Sequence, residues 1–109
     1  MGVEELKVSR TGPRAVATMP AEIDAMNADE IRDALLSAAG NGVTTLIIDM
    51  SATTFCDSSG VHAVISAYRQ AAAAGIEVRL VITTVRRVFR LIGADQVMPT
   101  FASLAAALA

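Results

Sequence analysis

The 109-residue chain contains few of the residue types that form metal, catalytic or nucleic-acid sites. It has one cysteine and one histidine, which excludes an intrachain disulfide and cannot supply the four ligands of a structural zinc site. Its aromatic content is 4%, too little for a platform on which bases stack. With a net charge of −2, no strongly basic surface is expected for a nucleic acid or an anionic membrane. These absences predict no metal, no nucleic-acid partner and no membrane partner.

Long hydrophobic runs are also missing. No stretch approaches the ~20 consecutive apolar residues of a membrane-spanning helix. Glu4 and Glu5 interrupt the N-terminus before any apolar run, unlike a secretory signal peptide. We therefore expect a cytoplasmic protein, and the single free thiol of Cys56 is compatible with a reducing compartment.

Apolar residues make up 53% of the chain, enough for one hydrophobic core. The length fits a single domain over residues 1–109. Residues 43–50 contain Leu46-Ile47-Ile48, a continuous apolar run that is typical of a strand covered on both faces, and residues 78–83 form the next apolar strand. Between them, residues 58–74 have helical spacing, with Val61, Val64, Ile65, Tyr68 and Ala72 on the inward face. The two strands should be parallel with a right-handed crossover, which predicts an α/β fold: a small mixed sheet with helices packed against it.

The flanking segments complete this prediction. Strands at residues 6–8 and 15–19 should form a hairpin around Thr11-Gly12-Pro13. Asn27 and Glu30 have the spacing of a capping box at the start of a helix that ends at Gly40. Thr84 should cap a short helix with Val85, Val88, Phe89 and Ile92 inward, and residues 101–108 should form a closing helix.

The most informative stretch is Asp57-Ser58-Ser59-Gly60, here called the 57–60 turn, where a predicted strand passes into a helix. The first N–H groups of a helix have no internal partner, and the helix dipole favours negative charge there. A phosphate on Ser58 would therefore be well placed. An alternative is purely structural, because Asp and Ser are ordinary N-caps and Gly permits close packing. On these four residues alone, the structural interpretation is the stronger.

Enzymatic and metal-dependent alternatives are weaker. Ser58 as a nucleophile with His62 as its base would define a small serine hydrolase, but the nucleophile elbow requires Gly two residues before the serine, where this chain has Cys56. Asp24, Asp49 and Asp57 could gather in space, but carboxylates alone do not establish a Mg²⁺ site. Neither glycine-rich phosphate-binding motif is present. We expect no cofactor and no enzymatic activity.

Several segments in order resemble the STAS-domain anti-sigma-factor antagonists of bacteria, over about residues 15–108. The resemblance is carried by residues 46–50, Phe55, the 57–60 turn, the helix through Tyr68 to Gly75, residues 85–89 with Gly93, and residues 20–24. There are departures from the family pattern: Ala21 stands where Gly is usual, Val61 where Leu is usual, and His62 where a small residue is common.

The resemblance implies a STAS-type fold and a regulatory function. Ser58 would be phosphorylated from ATP by a serine/threonine kinase that is also an anti-sigma factor, and a PP2C-type phosphatase would remove the phosphate. The unphosphorylated protein would bind the anti-sigma factor and release a sigma factor. On the surface that binds the partner, Asp57 would cap the helix and Asp24 would contribute a side chain. Ser59 would form a hydrogen bond to the backbone near the turn. The remaining partner-contact candidates are Gly60, His62, Arg86, Arg87 and Arg90.

Other roles of STAS domains stay open at this point. Such domains also serve as subunits of lipid transporters and in stress-sensing assemblies. A transporter subunit need not preserve Asp57 and Ser58, so their presence favours the antagonist.

Overall fold

The computed structural model describes residues 6–109, so the prediction made from Glu4 and Glu5 lies outside the described residues. In this part of the chain, three strands come first, and helices are interspersed with strands from residue 28 onwards. The strands are β1 (Lys7–Thr11), β2 (Arg14–Thr18), β3 (Glu22–Ile23), β4 (Thr45–Met50), β5 (Phe55–Cys56), β6 (Glu77–Ile82) and β7 (Thr100–Phe101). The helices are α1 (Ala28–Ala38), α2 (Ser58–Ala73), α3 (Arg86–Ile92) and α4 (Leu104–Leu108), with a 3-10 turn at Ala94–Gln96.

Five strands form a mixed sheet in the order β1-β2-β4-β6-β7. β1 and β2 are the antiparallel hairpin predicted around Gly12, and the remaining neighbours are parallel. The β4–α2–β6 unit therefore has the predicted parallel pairing, and the predicted small mixed sheet with helices is confirmed. A second, two-stranded parallel sheet pairs β3 with β5. The sequence patterns do not predict it, because each of its strands has only two residues.

The two faces of the five-stranded sheet are covered unequally. On one face, Leu46, Ile48 and Met50 join a large core cluster that includes residues of α1, α2 and α3. On the other face, Ile47 and Val81 pack with Ala107 of α4 in a small cluster. β4 is buried on both faces, which explains its continuous apolar run.

Five local predictions are wrong in detail. Asn27 precedes α1 but makes no capping bond; its Oδ1 accepts from Asp24 N at 3.0 Å and its Nδ2 donates to Glu22 O at 2.9 Å. Val85, not Thr84, is the N-cap of α3, and Ile92 is 37% exposed because α3 ends there at the left-handed Gly93. In α2 the buried residue near the end is Ala71, and Ala72 is exposed.

The fifth concerns the C-terminal segment, where the sequence pattern predicts a helix from residue 101. Residues 100–101 instead extend the sheet beside β6, where Phe101 packs against the small cluster. The helix begins only at Leu104, where Ser103 Oγ accepts from Ala106 N at 3.1 Å. Burial of an aromatic ring at the sheet edge thus outweighs the helical pattern of this segment.

Candidate functional site

Ser58 is the first residue of α2, and it is exposed. It lies on the side of the sheet where the carboxyl end of β4 is found. The chain leaves β4 at Met50, passes through β5 and enters the helix at the 57–60 turn. Connections at the carboxyl ends of parallel strands are where α/β proteins commonly place functional groups. The structure therefore presents the Ser58 hydroxyl at a helix start and on the surface.

Asp57 caps this helix. Its backbone is extended (φ −91°, ψ −174°), and its carboxylate accepts a hydrogen bond from Gly60 N; the distance between Oδ1 and N is 3.1 Å. The backbone oxygen of Asp57 accepts from Val61 N. Within residues 6–109, the N–H groups of Ser58 and Ser59 have no hydrogen-bond partner. The cap holds the helix start while two backbone donors remain free beside Ser58.

The small sheet brings Asp24 to the same place. Ile23 of β3 is paired with Cys56 of β5, and Asp57 N donates to Ile23 O at 3.2 Å. Asp24 and Asp57 each follow one member of that pair, so they lie side by side where the two strands end. Asp24 Oδ1 accepts from Met26 N at 2.9 Å, which shapes the loop into α1. The predicted neighbourhood of Asp24 and the 57–60 turn therefore exists in the structure.

Gly60 is buried and permits a close approach between α2 and the small sheet. A Cβ at this position would lie 2.6 Å from Cys56 Sγ and 2.7 Å from Ile23 Cγ2, and no real Cβ tolerates such contacts. Cys56 is buried in the same contact. Burial and the neighbouring Asp57 raise the pKa of its thiol to about 12. Gly60 thus acts on the surface indirectly, by setting the position of the residues around it.

Ser59 and His62 line a groove between α1 and α2. It has a volume of about 440 Å³, and its other lining residues are Ala25, Ala28, Asp29, Arg32, Ala63 and Ser66. The Ser59 hydroxyl makes no hydrogen bond to any residue in the described part of the chain, so the expectation that it bonds backbone near the turn is wrong. At this turn Asp57 already accepts from the N–H groups of Gly60 and Val61. Arg32, on the facing helix, pairs with Asp29 at 3.4 Å and with Asp33 at 3.2 Å.

Two exposed apolar side chains border this region and are not predicted by the sequence patterns. Met26, in the loop before α1, is 90% exposed, and Phe55, in β5, is 50% exposed. Each is a large apolar residue within a segment of mostly polar or small residues, and this is the one feature of the sequence that could have indicated their exposure. Apolar surface beside a polar site is typical of protein–protein contact.

The arginines of α3 are a separate feature. Arg86, Arg87 and Arg90 are all exposed, and Arg86 Nη2 donates to Ile82 O at 3.0 Å. The loop that leads to α3 is joined to the loop after β4 by the bond from Thr83 Oγ1 to Ser51 O. Across residues 6–109, no hydrogen bond or ion pair links these arginines to the 57–60 turn. Because α3 follows β6, which runs parallel to β4, these arginines lie at the same end of the sheet as Ser58 but are not part of the 57–60 turn.

Each of the acidic residues considered for metal binding accepts a hydrogen bond from a nearby backbone N–H. Asp49 Oδ1 accepts from Ser51 N, just as Asp24 and Asp57 each accept from a nearby amide. No group of three or more potential ligands occurs among the described residues. In that same part of the chain, no helix has the length and apolar character needed to cross a membrane.

Comparisons with known proteins identify the family. A model of the STAS domain matches residues 6–107, and the chain belongs to this family. Among solved structures, an anti-sigma factor antagonist from Mycobacterium paratuberculosis is 26% identical, with a TM-score of 0.81 and coverage of 95% of this chain and 90% of that one. The antagonist SpoIIAA in its unphosphorylated form is 27% identical, with a TM-score of 0.75 and coverage of 95% and 93%. The phosphorylated form of SpoIIAA from Bacillus is 27% identical, with a TM-score of 0.69 and coverage of 95% and 96%. No curated protein sequence matches the chain.

Proposed function

We propose that this STAS-domain chain is an anti-sigma factor antagonist controlled by phosphorylation of Ser58. In this proposal its unphosphorylated form binds an anti-sigma factor that is also a serine kinase, and so releases a sigma factor. The kinase transfers phosphate from ATP to Ser58, and a PP2C-type phosphatase reverses the modification. The chain itself is a non-enzymatic regulator of the cytoplasm that forms one domain and requires no cofactor.

The observation that carries this proposal is the exposed Ser58 hydroxyl at the first position of a capped helix. A kinase can reach it without unfolding the domain. Asp57 already stabilises the helix through Gly60 N, so modification of Ser58 removes no capping bond. A phosphoserine at this position carries about −1.5 to −2 charges, which the helix dipole and free N–H groups stabilise. The fold should therefore tolerate the phosphate.

The same charge should oppose binding. Asp24 and Asp57 lie beside Ser58, while Met26 and Phe55 offer apolar surface nearby. A partner that covers these residues excludes water from them, and it then has to desolvate the phosphate next to two carboxylates. Phosphorylation that leaves the fold intact but prevents the partner from binding acts as a switch. The likeness to SpoIIAA structures in unphosphorylated and phosphorylated forms supports this proposal.

The modification is tested by incubating the protein with its candidate kinase, a histidine-kinase-like ATPase, and ATP, followed by phosphopeptide mapping. We expect all label on Ser58. Ser58→Ala should take up none, and Ser59→Ala should be labelled like the wild type. Label on Ser59, or label that persists in Ser58→Ala, would contradict the assignment.

The switch itself is tested by calorimetric titration of the kinase. Ser58→Ala should bind like the unphosphorylated wild type. Ser58→Asp should bind more weakly, but incompletely so, because it supplies one charge instead of nearly two. Ser103→Asp is a matched control, since it adds the same charge at the cap of α4 on the opposite sheet face and Asp caps as well as Ser. Equal affinity of Ser58→Asp and Ser103→Asp would refute the electrostatic switch.

The hydrolase alternative is disfavoured by the position of His62. It lies one turn after Ser58 on the same helix and is exposed, so it does not face the hydroxyl across a cleft as a general base does. A chromogenic ester assay on the wild type and on Ser58→Ala discriminates directly, and we expect no hydrolysis that depends on Ser58.

A further inference from the structure

We infer that His62 is the counter-ion of the phosphoryl group on Ser58, so that in the phosphorylated form the ionisations of the phosphate and the imidazole are coupled. This inference rests on the proposed phosphorylation of Ser58 and assigns the residue that would pair with the added charge.

The geometry of α2 carries this inference. Ser58 and His62 are four residues apart in one continuous helix (Ser58–Ala73), and both are exposed. Residues at this spacing lie above one another on one face, with about 5–6 Å between their Cβ atoms. Side chains on a helix lean towards its N-terminus, so the imidazole of His62 leans back towards Ser58, and a phosphate enlarges the serine side chain by one tetrahedral group. Charged pairs at this spacing stabilise helices.

The other charged groups around His62 are less suited than His62 to pair with a phosphate on Ser58. On α1, Arg32 lines the same groove but is paired with Asp29 and Asp33. The remaining groups at the helix start, Asp24 and Asp57, are acidic and repel a phosphate. Arg69 lies seven residues beyond His62, about 10 Å further along the helix, too far to reach Ser58. Arg86, Arg87 and Arg90 lie on α3, and among residues 6–109 they make no hydrogen bond or ion pair to the 57–60 turn. His62 is therefore the candidate cation that α2 itself provides one turn from Ser58.

The pairing has a chemical consequence. Imidazole changes charge between about pH 5 and 8, and the second ionisation of a phosphoserine falls near pH 6. An imidazolium favours the dianionic phosphate, and the dianion favours the imidazolium. The two titrations should therefore move in opposite directions when both groups are present. In the unphosphorylated protein the only carboxylate in the same groove is that of Asp29, which is already paired with Arg32.

The test uses the full chain with phosphoserine inserted at position 58 during translation, so that it does not depend on any kinase. Phosphorus NMR follows the phosphate from pH 5 to 8 in the phosphorylated wild type, in His62→Gln and in Arg32→Gln. We expect the midpoint of the phosphate titration to rise by about 0.2–0.4 pH unit in His62→Gln and to stay unchanged in Arg32→Gln. The imidazole midpoint should be higher in the phosphorylated wild type than in the unphosphorylated protein by a similar amount. Circular dichroism establishes that each variant is folded.

Two results would overturn the inference: coincident phosphate titrations in the wild type and His62→Gln, or a shift caused by Arg32→Gln alone. Failure of a kinase to label Ser58 would instead remove the proposed function and leave the measured pairing intact. The two ideas can therefore fail separately.

Discussion

Replacing Gly60 with alanine tests how the functional turn is positioned. The added methyl group would lie 2.6 Å from Cys56 Sγ and 2.7 Å from Ile23 Cγ2. Both neighbours are buried, and both belong to the small β3–β5 sheet, so neither can swing into solvent. The helix start, the small sheet or both must move apart. Because Gly60 N also donates to Asp57, such a movement disturbs the cap that presents Ser58.

The size of the effect follows from two opposing contributions. Overpacking a well-packed interior destabilises by about 1–3 kcal/mol. Alanine is a better helix former than glycine by about 1 kcal/mol, which offsets part of this loss. Both contacts of the added Cβ are shorter than 3.0 Å, so the overpacking cost should lie in the upper part of this range, about 2–3 kcal/mol. We therefore expect Gly60→Ala to lower the free energy of unfolding by about 1–2 kcal/mol. At about 4–8 °C per kcal/mol for a domain of this size, that corresponds to a fall in Tm of about 4–16 °C.

Chemical denaturation with circular dichroism measures this loss, and Gly40→Ala is the matched control. A Cβ at Gly40 meets only Ser37 O, at 3.4 Å, so this variant should be as stable as the wild type or slightly more so. In a double-mutant cycle, Cys56→Ala should reduce the cost of Gly60→Ala, because it removes the 2.6 Å contact. The packing argument is refuted if Gly60→Ala unfolds with the wild type, or if Cys56→Ala leaves its cost unchanged.

Three further predictions concern neighbouring residues. Asp57→Asn should lose under about 1 kcal/mol of stability yet be phosphorylated more slowly, and a large fall in Tm with a normal rate for the folded protein would make Asp57 a structural cap only. His62→Ala should be phosphorylated by the kinase within a few-fold of the wild-type rate, since His62 is not a base for the transfer; a collapse of the rate with an intact circular dichroism spectrum contradicts this. The pKa of Cys56 is raised from 9.0 to about 12, so at pH 8 a thiol reagent should modify the folded protein about 1000-fold more slowly than the unfolded chain. The same shift favours the folded state fully below pH 9, and this stabilisation should be lost as the pH rises towards 12.

Long periodic segments made most of the fold predictable. β4 contains the continuous apolar run Leu46-Ile47-Ile48, β6 is mostly apolar, and α2 has helical spacing over four turns, so local pattern and tertiary burial agree there. Gly75 and Gly93 end their helices with positive φ, as expected of glycine after a helix. The sequence-based predictions failed where a tertiary contact, and not the local pattern, determines the secondary structure. Phe101 enters a strand because it packs against the small cluster beneath α4.

The site was predictable in part for the same reason. The Asp57 cap is a local motif, and its bond to Gly60 N is present. The groove that Ser59 and His62 share with α1 depends on how two helices pack, and no local pattern encodes that. Asn27 illustrates the limit: its spacing fits a capping box, but its side chain bonds to Glu22 O and Asp24 N instead. There it stabilises the loop that places Asp24 beside Asp57.

The division of roles within the 57–60 turn would allow one surface to be both stable and, as proposed, controlled by phosphorylation. The Asp57 carboxylate takes the Gly60 N–H, and the Asp57 carbonyl takes that of Val61. The donors of Ser58 and Ser59 have no partner within residues 6–109. A phosphate on Ser58 can use those donors without displacing the cap. If Ser58 were itself the capping residue, modification would break the bond that starts the helix, at a cost of about 1 kcal/mol. Placing the acceptor one residue after the cap separates the charge that holds the fold from the charge that would control binding.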